Sequence, residues 1–372
     1  MKNKWQTKKL SEVCEIRTGK KDVNQGNPNG RYPFFTCAKN HTYSDTYSYD
    51  TEALLIAGNG DVGHVSHYKG KFEVYQRTYV LTDFKGVDPI YLFHLLQGKL
   101  KDEVSGKKLG NTMPYIKKSM LEDFIVPLPP LTTQKEIVKK LLSTLGIIEK
   151  AIQSERVKTE RIQELFEAYL LSFLQSPEYE AKLLGDLSEK VEYGTSKKSQ
   201  KEGKIPVLRM GNIQNGRFNW DDLVYTSDPE EIKRYSLKEN DVLFNRTNSP
   251  ELVGKTAIYK GKMPSIFAGY LIRIHRKEKE LDAEYLNYFL NSPIARKHGK
   301  TIMTSSVNQA NINGTKLKKY PIPAPDIKVQ RLIAKKLNSA KKLTDDLDEK
   351  YRKKLELLDE LRVSVLSKTF AN

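Results

Sequence analysis

The residues that most invite a chemical reading are Gly58-Asn-Gly-Asp-Val-Gly63, which follow the apolar run Ala53-Leu-Leu-Ile-Ala57 and precede Asp83 by about 20 residues. A G-x-G-x-x-G turn in that setting can hold a dinucleotide, provided that a helix begins there and offers its N-terminus to the pyrophosphate. The stretch that follows, His64-Val-Ser-His-Tyr-Lys-Gly-Lys-Phe-Glu-Val-Tyr75, reads instead as strands and a turn, so a simple turn is expected. Asp348-Glu-Lys350 could pass for part of a nuclease D…ExK set, but it lies in a long helical pattern and reads as a solvated face. No [DN]-P-P-[YF] is present, so the motif that holds a flipped adenine or cytosine is missing, and Asn248-Ser-Pro-Glu251 does not replace it. The two cysteines, Cys14 and Cys37, support neither a disulfide framework nor a Cys-rich metal site. No cofactor, metal or catalytic residue is expected on this chain.

The chemistry left over is recognition. Arg and Lys donate to guanine edges, Asn and Gln pair bidentately with adenine, and Lys also anchors phosphates. In the first half the candidates are Lys20, Lys21, Asn59, Arg77, Lys107, Lys108, Asn111, Lys117 and Lys118. In the second they are Lys197, Lys198, Arg209, Asn212, Asn245, Arg246, Asn248, Lys255, Asn308, Gln309 and Asn311. The best clusters are Asn245-Arg-Thr-Asn248 and Ser305–Asn311. His64 and His67, three apart in an extended stretch with no third ligand, read as structural or DNA-facing.

Elements that could position these side chains come in a doubled order. Pro127-Leu-Pro-Pro-Leu-Thr-Thr-Gln-Lys-Glu-Ile-Val-Lys-Lys-Leu141 returns as Pro323-Ala-Pro-Asp-Ile-Lys-Val-Gln-Arg-Leu-Ile-Ala-Lys-Lys-Leu337, at an offset of 196 residues that holds to Glu164-Leu165 and Glu360-Leu361. Upstream the echoes are looser. Asp241-Val-Leu-Phe244 matches Ala53-Leu-Leu-Ile56, and Tyr285-Leu286 matches Tyr91-Leu92. Residues 1–130 and 179–326 mix short β-branched and aromatic runs, such as Glu73–Leu81, with Gly/Asn/Asp punctuation, which predicts α+β domains. Each is followed by a helix, over 131–178 and 327–372. Thr133 and Glu136 form a capping box for the first, and Asp326 is the N-cap of the second. The first apolar stripe runs through Ile137, Leu141, Leu145, Ile148, Ile152, Ile162, Leu165, Phe166, Tyr169 and Phe173; the second includes Leu337, Leu347, Leu355, Leu361 and Val365. Two such stripes bury each other best as an antiparallel pair. The expected fold is α+β: two pseudo-twofold-related α/β domains separated by two long antiparallel helices forming a coiled-coil rod.

The net charge is +17, and both globular segments are basic while the first helical segment is neutral. That is the footprint of a polyanion binder, and a twofold molecule suits a twofold partner such as duplex DNA. The absence of an apolar signal core and of any run of membrane-spanning length points to a cytoplasmic protein with no membrane partner.

Taken together, these residues resemble the specificity subunit of a type I restriction–modification system. The resemblance rests on the junctions Pro127–Ile137, which fits P-x-P-P-L-x-x-Q-x-x-I, and Pro323–Ile333, which follows it with Asp326 and Ile327 in place of the last proline and the leucine; Gln134 and Gln330 stand at the glutamine. It also rests on Ser305-Ser-Val-Asn-Gln-Ala-Asn-Ile312, which the first half answers only with Gly110-Asn-Thr-Met-Pro-Tyr-Ile116. It implies target-recognition domains at 1–130 and 179–326, each reading half of a split, asymmetric site on double-stranded DNA. It implies a non-catalytic subunit on which two DNA methyltransferase subunits dock, carrying S-adenosylmethionine, and which restriction–translocase subunits join. Two alternatives stay open on the residues alone. One is a related system whose methyltransferase and nuclease share one partner chain; the other is a coiled-coil scaffold that binds proteins rather than DNA.

Overall fold

The computed structural model describes residues 5–105, 114–306 and 309–370. The chain divides into two compact units, Met1–Val157 with Tyr351–Asn372, and Lys158–Lys350. Their boundaries fall inside two continuous helices of 44 and 43 residues, Leu131–Leu174 and Ile327–Thr369.

The first unit is built on a six-stranded sheet in the order Glu15–Thr18, Thr78–Thr82, Tyr49–Ala57, Val65–Val74, Tyr32–Phe35, Thr42–Ser44. Its pairs are antiparallel except Tyr32–Phe35 with Val65–Val74. Ala53-Leu-Leu-Ile-Ala57 is apolar without alternation because both faces of this strand are covered. Leu54 and Ile56 pack with Tyr91, Leu92 and Leu95 of the helix Pro89–Ser105, while Ala53 and Leu55 join Phe35, Phe72 and Val74 on the other face. The run Glu73–Leu81 spans the end of one strand and the start of the next, split by a turn at Tyr75–Arg77. Thr78 N bonds back to Tyr75 O, closing the turn, and the two strands then lie on either side of Tyr49–Ala57.

The second unit repeats the order with one break. Ser188–Tyr193, Leu271–Arg276, Val242–Asn245 and Thr256–Ile258 form a four-stranded sheet. Ile266–Phe267, Ile205–Leu208 and Val224–Thr226 form a three-stranded one, in which Ile205–Leu208 and Ile266–Phe267 again run parallel. Thr256–Ile258 and Ile266–Phe267 together stand where Val65–Val74 stands in the first unit, interrupted by Tyr259–Ser265. Val242 and Phe244 face the helix Ala283–Leu290, and Leu243 faces the opposite core.

Within each unit the two long helices run antiparallel. In the first, Glu155 pairs with Lys354 at 2.8 Å, and Leu141 shares a core with Phe370 near the far end of the second helix. In the second, Lys341 lies over the Phe166 ring and Lys336 over Phe173. Leu141, Ile148, Ile152, Phe166 and Leu337 are buried as the stripes predict. Leu165 and Leu361 are not: 68% and 48% exposed, they sit 196 residues apart on outward faces. Asp326 caps the second helix by accepting from Lys328 N. The capping box at Thr133 and Glu136 does not start the first helix, which begins at Leu131; Pro130 O accepts from Gln134 N, so the prolines themselves lead into the first turn.

Candidate nucleic-acid interface

Each unit is fastened to its long helix by one glutamine. Gln134 is fully buried; its Oε1 accepts from Asp88 N at 2.8 Å, and its Nε2 donates to Gly86 O and Pro129 O. Gln330, also fully buried, accepts from Asp282 N at 3.0 Å and donates to Glu280 O and Pro325 O. Asp88 and Asp282 in turn cap the helices that carry Tyr91 and Tyr285. The hydroxyls of those tyrosines donate to Pro127 O and Pro323 O, and burial pushes both phenols above their ordinary pKa. The two glutamines of the repeated junction are thus internal fasteners rather than surface readers.

At the rim of the first sheet, Gly58 N bonds to Arg77 O at 3.0 Å and Gly58 O accepts from Ile116 N; Asn59 and Tyr115 form a bridge beside them. The G-x-G-x-x-G sequence is this rim turn. It leads into the antiparallel strand Val65–Val74, not a helix, so it offers no dinucleotide cradle. Gly60 and Gly63 adopt positive φ there. At the corresponding rim of the second sheet, Arg246 N bonds to Tyr270 O at 3.0 Å and Arg246 O accepts from Ile312 N. Thr247-Asn248 pairs with Gln309–Asn311, and that strand pairs with Thr304–Ser306, so the two clusters singled out in the sequence meet in one small sheet. Arg246 is held in place: its Nε donates to Gly269 O at 2.8 Å, its guanidinium lies over Tyr193, and the Tyr193 hydroxyl accepts from Gly314 N. Tyr193 and Tyr270 are exposed beside it.

The remaining candidates separate by what their side chains already hold. Lys20, Arg77, Lys117 and Lys198 are exposed, and Lys255 is partly so. Lys21 is committed to the buried Glu73 at 3.2 Å and to Ser44 and Thr46. Lys118 pairs with Glu122, and Arg209 with Asp222. Lys197 pairs with Asp228 and Glu231, and the hydrogen bond to Asp228 holds its ammonium above the ordinary range. Asn212 is buried, accepting from Arg209 N and donating to Asn219 O and Asp221 O, and so builds a turn. Asn245 is buried and bonds to Leu252 O and Thr247 N. Both amides are engaged with the backbone. Asn59 is buried; Asn248 accepts from Ser249 N; Asn311 donates to Thr247 Oγ1; Gln309 is exposed. Lys107, Lys108, Asn111 and Asn308 lie outside the described residues. His64 contacts Asp61 and Ser66, and His67 contacts Glu52. Among the described residues no group of three or more His, Cys, Asp or Glu could hold a metal ion, and no helix is long and apolar enough to cross a membrane.

Sequence reading missed Tyr193, Tyr270, Glu73 and the task of the two glutamines. Repetition of Gln134 and Gln330 at the common offset was a signal for the last; nothing in the local sequence marks Glu73 as the buried partner of Lys21.

The chain thus carries two similar α+β units, each with cationic and amide side chains at a sheet rim and a long helix fastened by a buried glutamine. Residues 2–160 and 177–357 match the family described as the type I restriction modification DNA specificity domain, and the chain belongs to that family. It is 36% identical over 165 residues to the type I restriction enzyme EcoDI specificity subunit of Escherichia coli, covering 44% of this chain and 36% of that protein. It is 32% identical to the putative MjaX specificity subunit of Methanocaldococcus jannaschii, covering 52% and 45%. The match thus spans less than half the length of each of these two relatives. With the EcoKI specificity subunit of Escherichia coli it is 24% identical over 348 residues, 86% of this chain and 73% of that one. The fold is shared with a solved chain described under complex assembly and conformational transition of the type I R-M system (TM-score 0.76, 16% identity, 100% and 98% covered). It is shared also with the HsdS subunit from Thermoanaerobacter tengcongensis (TM-score 0.57, 16% identity, 100% and 97% covered).

Proposed function

We propose that this chain is the sequence-specific DNA-recognition subunit of a type I restriction–modification complex, non-catalytic itself, in which each unit reads one half of a split, asymmetric duplex target. The observation that carries this reading is the pair of specificity domains, each presenting a rim of cationic and amide side chains above a core fastened to a long helix. Arg77, Lys20 and Lys117 in the first unit, and Arg246, Asn248, Lys198, Lys255, Gln309 and Asn311 in the second, are the side chains proposed to meet bases and phosphates. Asn212, Asn245 and Lys21 are proposed to shape the loops beneath them. Two methyltransferase subunits carrying S-adenosylmethionine, and restriction–translocase subunits, are the proposed partners, with the long helices as their scaffold and as the ruler for the unread spacer.

The test is a methylome. The chain is expressed with the methyltransferase encoded beside it, in a host lacking other adenine methylation, and the DNA is sequenced for modified bases. A split motif with a fixed gap is expected. Association of the two proteins with no new methylation would overturn the specificity role.

A further inference from the structure

Continuing the strand pairing by one residue places Gly58 directly opposite Arg77 and Arg246 directly opposite Tyr270, since Ala57 faces Thr78 and Asn245 faces Leu271. The backbone bonds agree: Gly58 N to Arg77 O, and Arg246 N to Tyr270 O, both 3.0 Å. The next strand joins each rim in the same way, through Ile116 to Gly58 O and Ile312 to Arg246 O. Gly58 and Arg246 are therefore structural counterparts, as are Arg77 and Tyr270. The arginine has changed strands between the two units. Directly opposed residues project from the same face with Cβ atoms about 5 Å apart, so an arginine on either member serves the same spot. Gly58 leaves no alternative, because a Cβ there would lie 2.4 Å from Arg77 O and 2.9 Å from the Tyr79 ring.

These two arginines, like Arg31, Arg156, Arg161 and Arg234, also differ from several others of the chain in charge balance. Arg17, Arg209, Arg217, Arg273, Arg276 and Arg296 each face a carboxylate. Among the described residues Arg77 and Arg246 face none, and there Arg246 hydrogen-bonds through Nε alone, which leaves the terminal nitrogens of its fork without a described partner.

Granted the DNA-reading role above, we infer that Arg77 and Arg246 are paired specificity determinants, one per unit, each donating bidentately to the O6 and N7 edge of a guanine in its own half-site. Sequence alignment of the halves does not pair them; strand register does.

The experiment is selection from a randomised duplex DNA library with the full-length chain in complex with its methyltransferase, comparing wild type with Arg77→Ala, Arg246→Ala and Arg246→Lys at fixed salt. Wild type should enrich a split motif. Each Ala variant should lose preference at one G·C pair, in opposite halves, and bind that site about 10- to 100-fold more weakly. Arg246→Lys, which keeps the charge and tests for folding, should retain general affinity yet lose part of that discrimination. Loss spread evenly over all sequences, with the salt slope reduced by about one, would mark a phosphate contact and overturn the assignment. So would both variants changing the same half. Failure of wild type to enrich any motif would instead overturn the DNA-reading role beneath it.

Discussion

The residue that does most to organise each unit is a buried glutamine. Its amide answers a cap N–H and two carbonyls that would otherwise be stranded away from water, and leaving such groups unpaired costs roughly 1–3 kcal/mol each. Gln134→Ala should therefore destabilise the first unit, and Gln330→Ala the second, by roughly 2–4 kcal/mol in urea unfolding. A change below about 0.5 kcal/mol, typical of an indifferent surface site, would sink this role. A second residue-scale case is Glu192. Burial alone would raise its carboxyl pKa, but hydrogen bonds from Arg273 and His275, with the Arg273 charge, outweigh burial and hold it below the ordinary 4.5. A depressed folded value contributes stability that is complete above 4.5 and is lost as pH falls through the folded value. Glu192→Gln should be less stable near neutrality, and its melting temperature should fall less steeply than wild type below that pH. Parallel curves would remove Glu192 from the acid response.

At the scale of elements, the long helices carry the proposed ruler role. Each is continuous across the boundary between units, and Glu155, 3% exposed, is paired to Lys354 close to it. Four residues inserted near Glu155 would add about one turn, roughly 6 Å. Under the proposed ruler role the unread spacer should lengthen by one or two base pairs, about 3.4 Å each, while both half-sites stay the same. Methylome sequencing reads this directly; altered half-sites with an unchanged spacer would refute it. Both helices and the strands Tyr49–Ala57 and Val242–Asn245 were legible from apolar spacing, since their cores impose periods of 3.6 and near-continuous burial. The split of Val65–Val74 into two strands in the second unit was not, because it depends on where a partner strand ends.

For the whole molecule, under the proposed role, two basic units engaging one duplex should release many counterions. With six to ten phosphate contacts, affinity should drop about 10³–10⁵-fold between 50 and 200 mM salt, measured by titrating labelled duplex. A flat response would exclude extended DNA contact. The sequence by itself determined the duplication, both long helices, the α+β texture and the basic balance, because each follows from composition or from spacing along the chain. Only the tertiary structure decided which polar side chains remain available. Lys21 is held by Glu73, Asn245 by Leu252, and Arg77 stands where the other unit has Tyr270. Hydrogen bonds and strand register join residues distant in sequence, across loops whose lengths differ between the halves, so no local pattern records them.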